Sequence, residues 1–139
     1  MRARLVPVVA VALLAACGGG SPSPESVVRA WSNALNSGDD AAAAALFAPR
    51  AEVNQGRAYV LDTEEKAIAF NRAIPCSGEI VELETKGDTV TATFRLGHRE
   101  TKPCDEPGAA ASARIRVREG KIVLWEQLPS EGGGSGETI

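Results

Sequence analysis

The chain has few of the residues that usually bind metals or perform acid–base catalysis. It contains one histidine, His98, and three cysteines among 139 residues. No Cys-x-x-Cys pair is present, so a zinc site is poorly supported, and neither a metal nor a cofactor is expected. The chain also has no basic run and no stripe of alternating basic and aromatic residues. Binding to nucleic acid therefore has little electrostatic basis.

Aromatic residues make up only 4% of the chain, and its formal net charge is −3. The hydrophobic content of 44% and the charged content of 24% are nevertheless ordinary for a globular protein, which argues against a disordered chain. A length of 139 residues supports one domain.

The longest apolar run lies at the N-terminus and predicts export. Arg2 and Arg4 supply a positive start, and the apolar segment from Leu5 to Leu14 follows. Ten such residues are too few to cross a hydrocarbon core of about 30 Å as a helix. Leu14-Ala15-Ala16-Cys17 then resembles a bacterial lipobox, whose cysteine is acylated and becomes the mature N-terminus. The alternative is a plain secretory signal that happens to precede a cysteine.

We therefore predict a lipoprotein signal over residues 1–17, with lipid on Cys17 holding the protein to a membrane outside the cytoplasm. Each buried acyl CH₂ group adds about 0.8 kcal/mol of membrane affinity, so several chains hold firmly. Removal of Arg2 and Arg4 with the signal leaves a formal charge of −5. Residues 18–24 are rich in glycine, serine and proline, which predicts a flexible tether in the cell envelope.

Two cysteines remain, Cys76 and Cys104, and an oxidising compartment favours a disulfide between them. Closing a loop of that length would stabilise the fold by roughly 4 kcal/mol in the chain-entropy model. The alternative is two separate reduced thiols.

Helical signals dominate the first half of the folded body. Ser23-Pro24-Glu25 is typical of a helix start, and apolar residues then recur at helical spacing as far as Gly38. A second helix is predicted from Ala41 to Phe47, ending before Pro49, and a third from Asp62 or Thr63 to Ile74. Between them, residues 51–60 are predicted to be extended or irregular, with a turn over 54–56.

The period of the hydrophobic pattern changes to two after Pro75, which predicts strands. Four strands are expected, over 80–85, 89–96, 112–118 and 121–128. Lys86-Gly87-Asp88 and Glu119-Gly120 are the hairpin turns, residues 97–110 form a polar loop, and residues 130–139 are a glycine-rich tail that should be disordered.

Helices followed by a run of strands predict an α+β fold. The expected architecture has three N-terminal helices packed in the concave face of a curved antiparallel sheet of four main strands, cone-like in shape. The folded domain spans residues 25–129.

Two segments resemble the nuclear transport factor 2-like superfamily, which includes SnoaL-like polyketide cyclases and ketosteroid isomerases. The first runs from Val27 to Asp39 and continues into Ala45-Leu46-Phe47-Ala48-Pro49. The second is the closing segment Ile115–Gln127, whose Gly-Lys-Ile turn leads into the last strand. The resemblance covers about residues 25–129 and implies the fold, but this fold serves enzymes, binding modules and assembly domains alike.

The resemblance also allows the isomerase residues to be compared one by one. Ketosteroid isomerases use an aspartate base and two oxyanion donors, a tyrosine and a protonated aspartic acid. The tyrosine corresponds to Trp31, the base to Gln55 and the second donor to Ala113. An indole lacks the acidity of a phenol, glutamine cannot abstract a proton, and alanine offers no polar group. Isomerase chemistry is therefore not expected.

Few other groups could supply chemistry. The charged residues on the predicted strands occupy positions compatible with a solvent face. His98, Tyr59 and Asn54 are the remaining catalytic candidates, although each could equally be a surface or turn residue. Asn71 could line the mouth of a cavity.

A ligand pocket is expected between the first helix and the sheet. Its predicted lining is largely aromatic, although the same residues could simply form the core: Trp31, Phe47, Gln55, Phe70, Phe94, Ala113 and Trp125.

Two functions remain open at this point. The preferred hypothesis is a non-catalytic, lipid-anchored domain that binds a small apolar ligand or a partner protein. The other is a SnoaL-like hydrolase, cyclase or isomerase that uses His98, Tyr59 or Asn54 in an unfamiliar arrangement. A homodimer through the outer sheet face is a further possibility, but threonines at 89, 91 and 93 make that face polar.

Overall fold

The computed structural model describes residues 20–129. The predicted signal with Cys17, residues 18 and 19 of the predicted tether, and the predicted tail lie outside the described residues. Within residues 20–129, no helix combines the length and apolar character needed to cross a membrane.

Within residues 20–129 there are three helices, each with a side-chain cap at its start: α1 (Pro24–Asn36), α2 (Asp40–Ala45) and α3 (Glu64–Ala73). Ser23, Asp39 and Thr63 are the capping residues, and the side chain of each accepts a backbone N–H of the first turn. The predicted starts of the first and third helices are confirmed. The second helix is shorter than predicted, because it ends at Ala45 and Phe47 already belongs to a strand.

In the part of the chain that the structure describes, six strands form one curved, mixed sheet. They are β1 (Phe47–Asn54), β2 (Ala58–Leu61), β3 (Ser77–Lys86), β4 (Thr89–Gly97), β5 (Ala110–Arg118) and β6 (Lys121–Gln127). Their order across the sheet is β2-β1-β6-β5-β4-β3. The four predicted strands correspond to β3–β6, which form an antiparallel meander.

The prediction of a curved antiparallel sheet of four main strands is confirmed only in part, because the sheet has two further strands and one parallel pairing. Residues 51–60, predicted to be extended or irregular, lie in β1, the turn after it and β2, and β1 pairs with β6 in parallel. This pairing has a register shift between Phe47 and Glu52, where Arg50 takes a positive φ of 62°. The irregularity breaks the alternation of apolar and polar residues, which explains why the sequence pattern did not indicate a strand.

The alternation predicted for β4 is confirmed. Val90, Ala92 and Phe94 are buried, whereas the threonines between them are half-buried on the other face. The helices pack on the buried face, with α1 against β3, β4 and β5. The resulting core places Trp31 of α1 above the middle of the sheet, beside Phe94 and Trp125.

Candidate functional site

A small cavity lies between α1 and the inner face of the sheet. Its volume is about 60 Å³, well below the roughly 150 Å³ of an apolar cavity that takes up benzene. Half of its lining residues are buried and half are only half-buried, so it is a pocket near the surface. The wall is formed by Trp31, Ser32, Leu35, Gln55, Ile74, Pro75, Cys76, Ser77, Gly78, Phe94, Leu96, Ala111, Ser112, Ala113, Trp125 and Gln127.

Three aromatic rings meet at the centre of this wall. The ring centroid of Trp31 lies 6.1 Å from that of Phe94 and 6.1 Å from that of Trp125, and both pairs are edge-to-face. Such contacts add about 0.5–1.5 kcal/mol beyond the area they bury. The aromatic wall is therefore fixed by its own packing.

The wall contains no side chain that changes protonation near neutral pH. Its polar members are serines, glutamines and indoles, and its one cysteine is in a disulfide. No group of three or more metal-binding side chains occurs among residues 20–129. General acid–base catalysis requires a titratable group within hydrogen-bond reach of the reacting atoms, and this cavity has none in its wall.

The indole of Trp31 is already hydrogen-bonded. Its Nε1 donates to Oδ1 of Asn71 over 2.8 Å, and Nδ2 of Asn71 donates to the carbonyl of Ala67 over 2.8 Å. Asn71 is completely buried, so it lies in the core instead of at the mouth of the cavity. Trp31 therefore presents an apolar face to the cavity and keeps its N–H for the protein.

The indole of Trp125 differs from that of Trp31 in its hydrogen bonding. Nε1 of Trp125 is buried and has no hydrogen-bond partner among residues 20–129, and the same is true of Oε1 of Gln127. Both residues belong to the cavity wall. Most buried polar groups in proteins are paired, so these two atoms stand out.

Gln55 lies at the turn between β1 and β2. Its Oε1 accepts a hydrogen bond from the Tyr59 hydroxyl over 3.1 Å. Burial raises the pKa of Tyr59, and the nearby Arg57 only partly opposes this. Tyr59 is therefore a neutral donor that orients Gln55, and it is not a base.

The edge strand β3 is attached to α1 through Gly78. The amide of Asn36 brackets this glycine, accepting from its N–H over 2.9 Å and donating to its carbonyl over 2.8 Å. A Cβ at position 78 would lie 3.0 Å from Phe94. Glycine is needed here because the aromatic ring lies directly on the backbone.

The loop between β4 and β5, residues 98–109, is fixed to the cavity wall by a disulfide. Cys76 and Cys104 are joined, as predicted, with their Cα atoms 4.8 Å apart. His98 supports this loop, because its Nδ1 accepts a hydrogen bond from the backbone N–H of Cys104 over 2.9 Å. The imidazole is exposed and does not line the cavity.

The same loop places a buried arginine against α3. Nη1 of Arg99 donates to the carbonyls of Asn71 and Ile74, both over 2.8 Å, and to Arg72 over 3.3 Å. Its Nη2 forms an ion pair with Asp40 over 2.6 Å, although its Nε has no partner. A cation at the last carbonyls of a helix satisfies groups that have no partner within the helix.

The structure brings together five of the seven residues predicted to line the pocket. Phe47 and Phe70 instead lie in the core behind the wall, where Phe70 contacts Trp125 at 5.2 Å between ring centroids. The three catalytic candidates, Asn54, Tyr59 and His98, are not wall residues. The Tyr59 hydroxyl donates to the wall residue Gln55, and the backbone carbonyl of His98 accepts from the hydroxyl of the wall residue Ser77 over 2.8 Å.

Two important residues were missed by the sequence analysis. Gln127 could have been found, because it lies two positions after Trp125 and so faces the same side of a strand. Arg99 had no such signal, since the polar loop that contains it lacks periodicity.

A family model described as a SnoaL-like domain matches residues 28–125. A search of curated proteins finds no match. Solved structures with this fold include a candidate ketosteroid isomerase from Kribbella flavida, with 13% identity and a TM-score of 0.64, covering 84% of this chain and 85% of that one.

A candidate polyketide cyclase from Sinorhizobium meliloti is 20% identical with a TM-score of 0.58, covering 74% of this chain and 94% of the other. A protein with a ketosteroid isomerase-like fold from Catenulispora acidiphila, solved in complex with trimethylamine, is 19% identical with a TM-score of 0.57, covering 79% and 88% of the two chains. At these identities the likeness shows the fold.

Proposed function

The chain belongs to the SnoaL-like domain family, and on that basis we propose that it is a lipid-anchored protein outside the cytoplasm that binds a small apolar ligand without transforming it. The observation that carries the proposal is the cavity wall, which is aromatic and aliphatic and contains no titratable side chain. A wall of this kind favours burial of an apolar molecule and gives a reaction no proton donor or acceptor.

The positions that correspond to the isomerase residues support the same function. The indole N–H of Trp31 donates to Asn71, and the amide oxygen of Gln55 accepts from the hydroxyl of Tyr59. Ala113 leaves a space in the wall where the family's second oxyanion donor would stand. Each of these three positions therefore contributes shape to the cavity and none contributes acid–base chemistry.

The cavity volume limits the size of the ligand. About 60 Å³ is far below the roughly 300–1,000 Å³ of sites for drug-sized molecules. We therefore propose a ligand smaller than benzene, not a steroid.

The anchor is proposed from Cys17 and the lipobox-like residues before it. The disulfide between Cys76 and Cys104 supports an oxidising compartment. A tether from Cys17 to the start of α1 would leave the cavity free of the membrane surface.

Ligand binding can be tested with a panel of small apolar molecules by thermal shift. The variant Ala113→Val fills the cavity, and we expect it to weaken ligand stabilisation by at least about tenfold in ligand concentration. The control Thr91→Val makes a similar change on the outer face of β4 and should bind normally. If no molecule stabilises the protein, or if Ala113→Val binds as well as the unchanged chain, the proposed function is wrong.

The anchor has a separate test. Full-length protein expressed in a bacterium and grown with labelled palmitate should carry label and partition into detergent. The variant Cys17→Ser should lose both properties. Unlabelled protein that is released into the medium would contradict the anchor and leave the binding proposal untouched.

A further inference from the structure

The strands of the sheet have two ends, and the chain places different features at each of them. The β3–β4 turn and the β5–β6 turn lie together, because the backbone N–H of Val117 donates to the carbonyl of Asp88 over 2.8 Å. We call this the hairpin-turn end. The cavity wall lies at the opposite end of the same strands, the cavity end, and includes Gly78 near the start of β3, Leu96 near the end of β4 and Gln127 at the end of β6.

The N-terminal segment packs against the hairpin-turn end. A Cβ on Gly120, in the β5–β6 turn, would lie only 2.9 Å from Cδ of Pro22, so the proline ring lies directly on the backbone of this turn. Helix α1 begins two residues after Pro22 and ends at the cavity end, where the amide of Asn36 is hydrogen-bonded to Gly78. The N-terminal segment and the cavity are therefore separated by the length of α1.

The tether is too short to let either end of the domain face the membrane. Five residue steps separate Pro22 from the proposed lipidation site, Cys17. An extended chain spans at most about 3.6 Å per residue, so the lipid would lie within roughly 18 Å of the β5–β6 turn. Strand β5 has nine residues at about 3.3 Å each, which separates the two ends by roughly 25–30 Å. The cavity end therefore cannot rest on the membrane that carries the lipid.

The charges at the two ends differ in sign. Around the two hairpin turns there are four cations and three carboxylates, an excess of one positive charge: Lys86, Arg116, Arg118 and Lys121, with Glu84, Asp88 and Glu119. The β4–β5 loop at the cavity end has three exposed carboxylates and one half-buried lysine, apart from Arg99, which is buried against Asp40: Glu100, Asp105, Glu106 and Lys102. Anionic lipid headgroups attract a basic surface and repel an acidic one.

We propose that the hairpin-turn end is the membrane-facing surface of the anchored domain. Lys86, Arg118 and Lys121 contact anionic phospholipid headgroups there, and the cavity opens at the far end, away from the membrane. This orientation rests on the anchor in the proposed function, since without lipid on Cys17 nothing holds the chain at a bilayer.

Two matched fluorescent labels measure the orientation of the acylated protein, reconstituted in vesicles of phosphatidylcholine and phosphatidylglycerol. Ala45→Cys places a label at the hairpin-turn end, where the Ala45 carbonyl accepts from Lys121 over 2.6 Å. Ala110→Cys places a label at the start of β5, at the cavity end. Both alanines are exposed. A nitroxide on the lipid headgroup should quench the label at position 45 at least about threefold more than the label at position 110, because the two ends are roughly 25–30 Å apart.

The lipid contact has its own variants. Each lysine or arginine near an anionic surface favours the bound state by about fivefold. Phosphatidylglycerol should therefore raise the quenching at position 45 above that in phosphatidylcholine alone, and Lys86→Gln/Arg118→Gln should abolish this rise. The control Arg57→Gln/Arg95→Gln removes two exposed cations at the cavity end and should preserve the rise.

Failure of this orientation is distinguishable from failure of the anchor. Equal quenching of the two labels in acylated protein would overturn the orientation and leave the hairpin-turn end free for a partner protein, although the anchor would stand. Quenching that does not respond to phosphatidylglycerol would overturn the headgroup contact. Protein that takes up no labelled palmitate would overturn the anchor and the orientation together.

Discussion

Two buried regions of this small domain lie side by side and differ in whether they contain a buried charge. Around α3 and the β4–β5 loop, Arg99 reaches three backbone carbonyls and the carboxylate of Asp40, and a disulfide holds the loop. In the cavity, no charged side chain is present in the wall, and two polar atoms of β6 have no partner.

The difference indicates that the region around Arg99 stabilises the fold, whereas the cavity serves the proposed binding function. The buried charge serves the fold, because it terminates α3 and joins it to the start of α2. The cavity keeps hydrogen-bonding capacity but no protonation chemistry. A single substitution at Arg99 should therefore lower the free energy of unfolding strongly. Removal of the unpaired polar atoms in the cavity wall should lower it much less.

The largest effect is expected at Arg99. Replacing it in Arg99→Met removes the 2.6 Å ion pair of a largely buried carboxylate, which Arg72 approaches only to 3.7 Å, and the hydrogen bond to the Ile74 carbonyl. The free energy of unfolding should therefore fall by about 3–5 kcal/mol. Chemical denaturation measures this. The control Arg95→Met removes an exposed arginine whose ion pair with Glu79 is solvent-exposed and should change stability by less than about 1 kcal/mol. Equal losses in the two variants would remove the distinction between the regions.

The disulfide should have the next largest effect. The double variant Cys76→Ala/Cys104→Ala should lose about 2–4 kcal/mol of unfolding free energy, because its denatured chain is no longer constrained. Intact mass with and without reductant checks the bond, since reduction adds about two hydrogens. An unchanged mass would mean that the thiols are free in the protein as secreted.

The two tryptophans allow the regions to be compared with one chemical change. Trp31→Phe leaves the buried Oδ1 of Asn71 unpaired and should cost about 1–3 kcal/mol more than the loss of ring area alone. Trp125→Phe removes an N–H that has no partner, so this extra cost should be absent. Denaturation curves for both variants provide the test, and a larger loss for Trp125→Phe would contradict the assignment of the unpaired atom.

The smallest effects on stability are expected from titration. Burial raises the pKa of Tyr59 above its usual value of 10.0, so the neutral phenol is favoured in the fold. Its contribution is fully present below the unfolded pKa and is lost as the pH rises through the folded pKa. The variant Tyr59→Phe should lose part of the alkaline decline in melting temperature. An identical decline in both proteins would show that Tyr59 does not contribute.

At acid pH the corresponding group is Asp88. Hydrogen bonds from Thr89 and then Arg118 lower its pKa, so its contribution is present above about pH 3.8 and is lost as the pH falls. This carboxylate is exposed, and Asp88→Asn should change the acid limb of the stability curve only slightly. A large change would imply that the outer face is buried in an assembly.

Much of the fold was predictable from periodicity and capping. Ser23, Thr63 and the alternation in β4 are local signals, and the structure agrees with each of them. The segment containing β1 was not predictable, because the register shift near Arg50 interrupts its alternation and its partner β6 lies some seventy residues away. Strand pairing over such a distance leaves little local trace.

The part of the candidate site that lies on regular helices and strands was predictable from local periodicity. Trp31, Phe94 and Trp125 follow from the inward positions of regular elements. The difference between the two indoles depends on Asn71, which reaches Trp31 from another helix. The burial of Arg99 depends on where an irregular loop folds back. Neither can be read from spacing along the chain.

The central claim is that the cavity holds a neutral ligand in a wall without titratable groups, and the pH dependence of binding tests it most directly. The affinity for the tightest-binding molecule of the thermal-shift panel should be measured from about pH 5 to pH 9, a range that begins above ordinary carboxyl ionisation and spans that of histidine. We predict a change of less than about twofold. A change of about tenfold with an inflection in this range would place an ionisable group at the ligand and contradict the account.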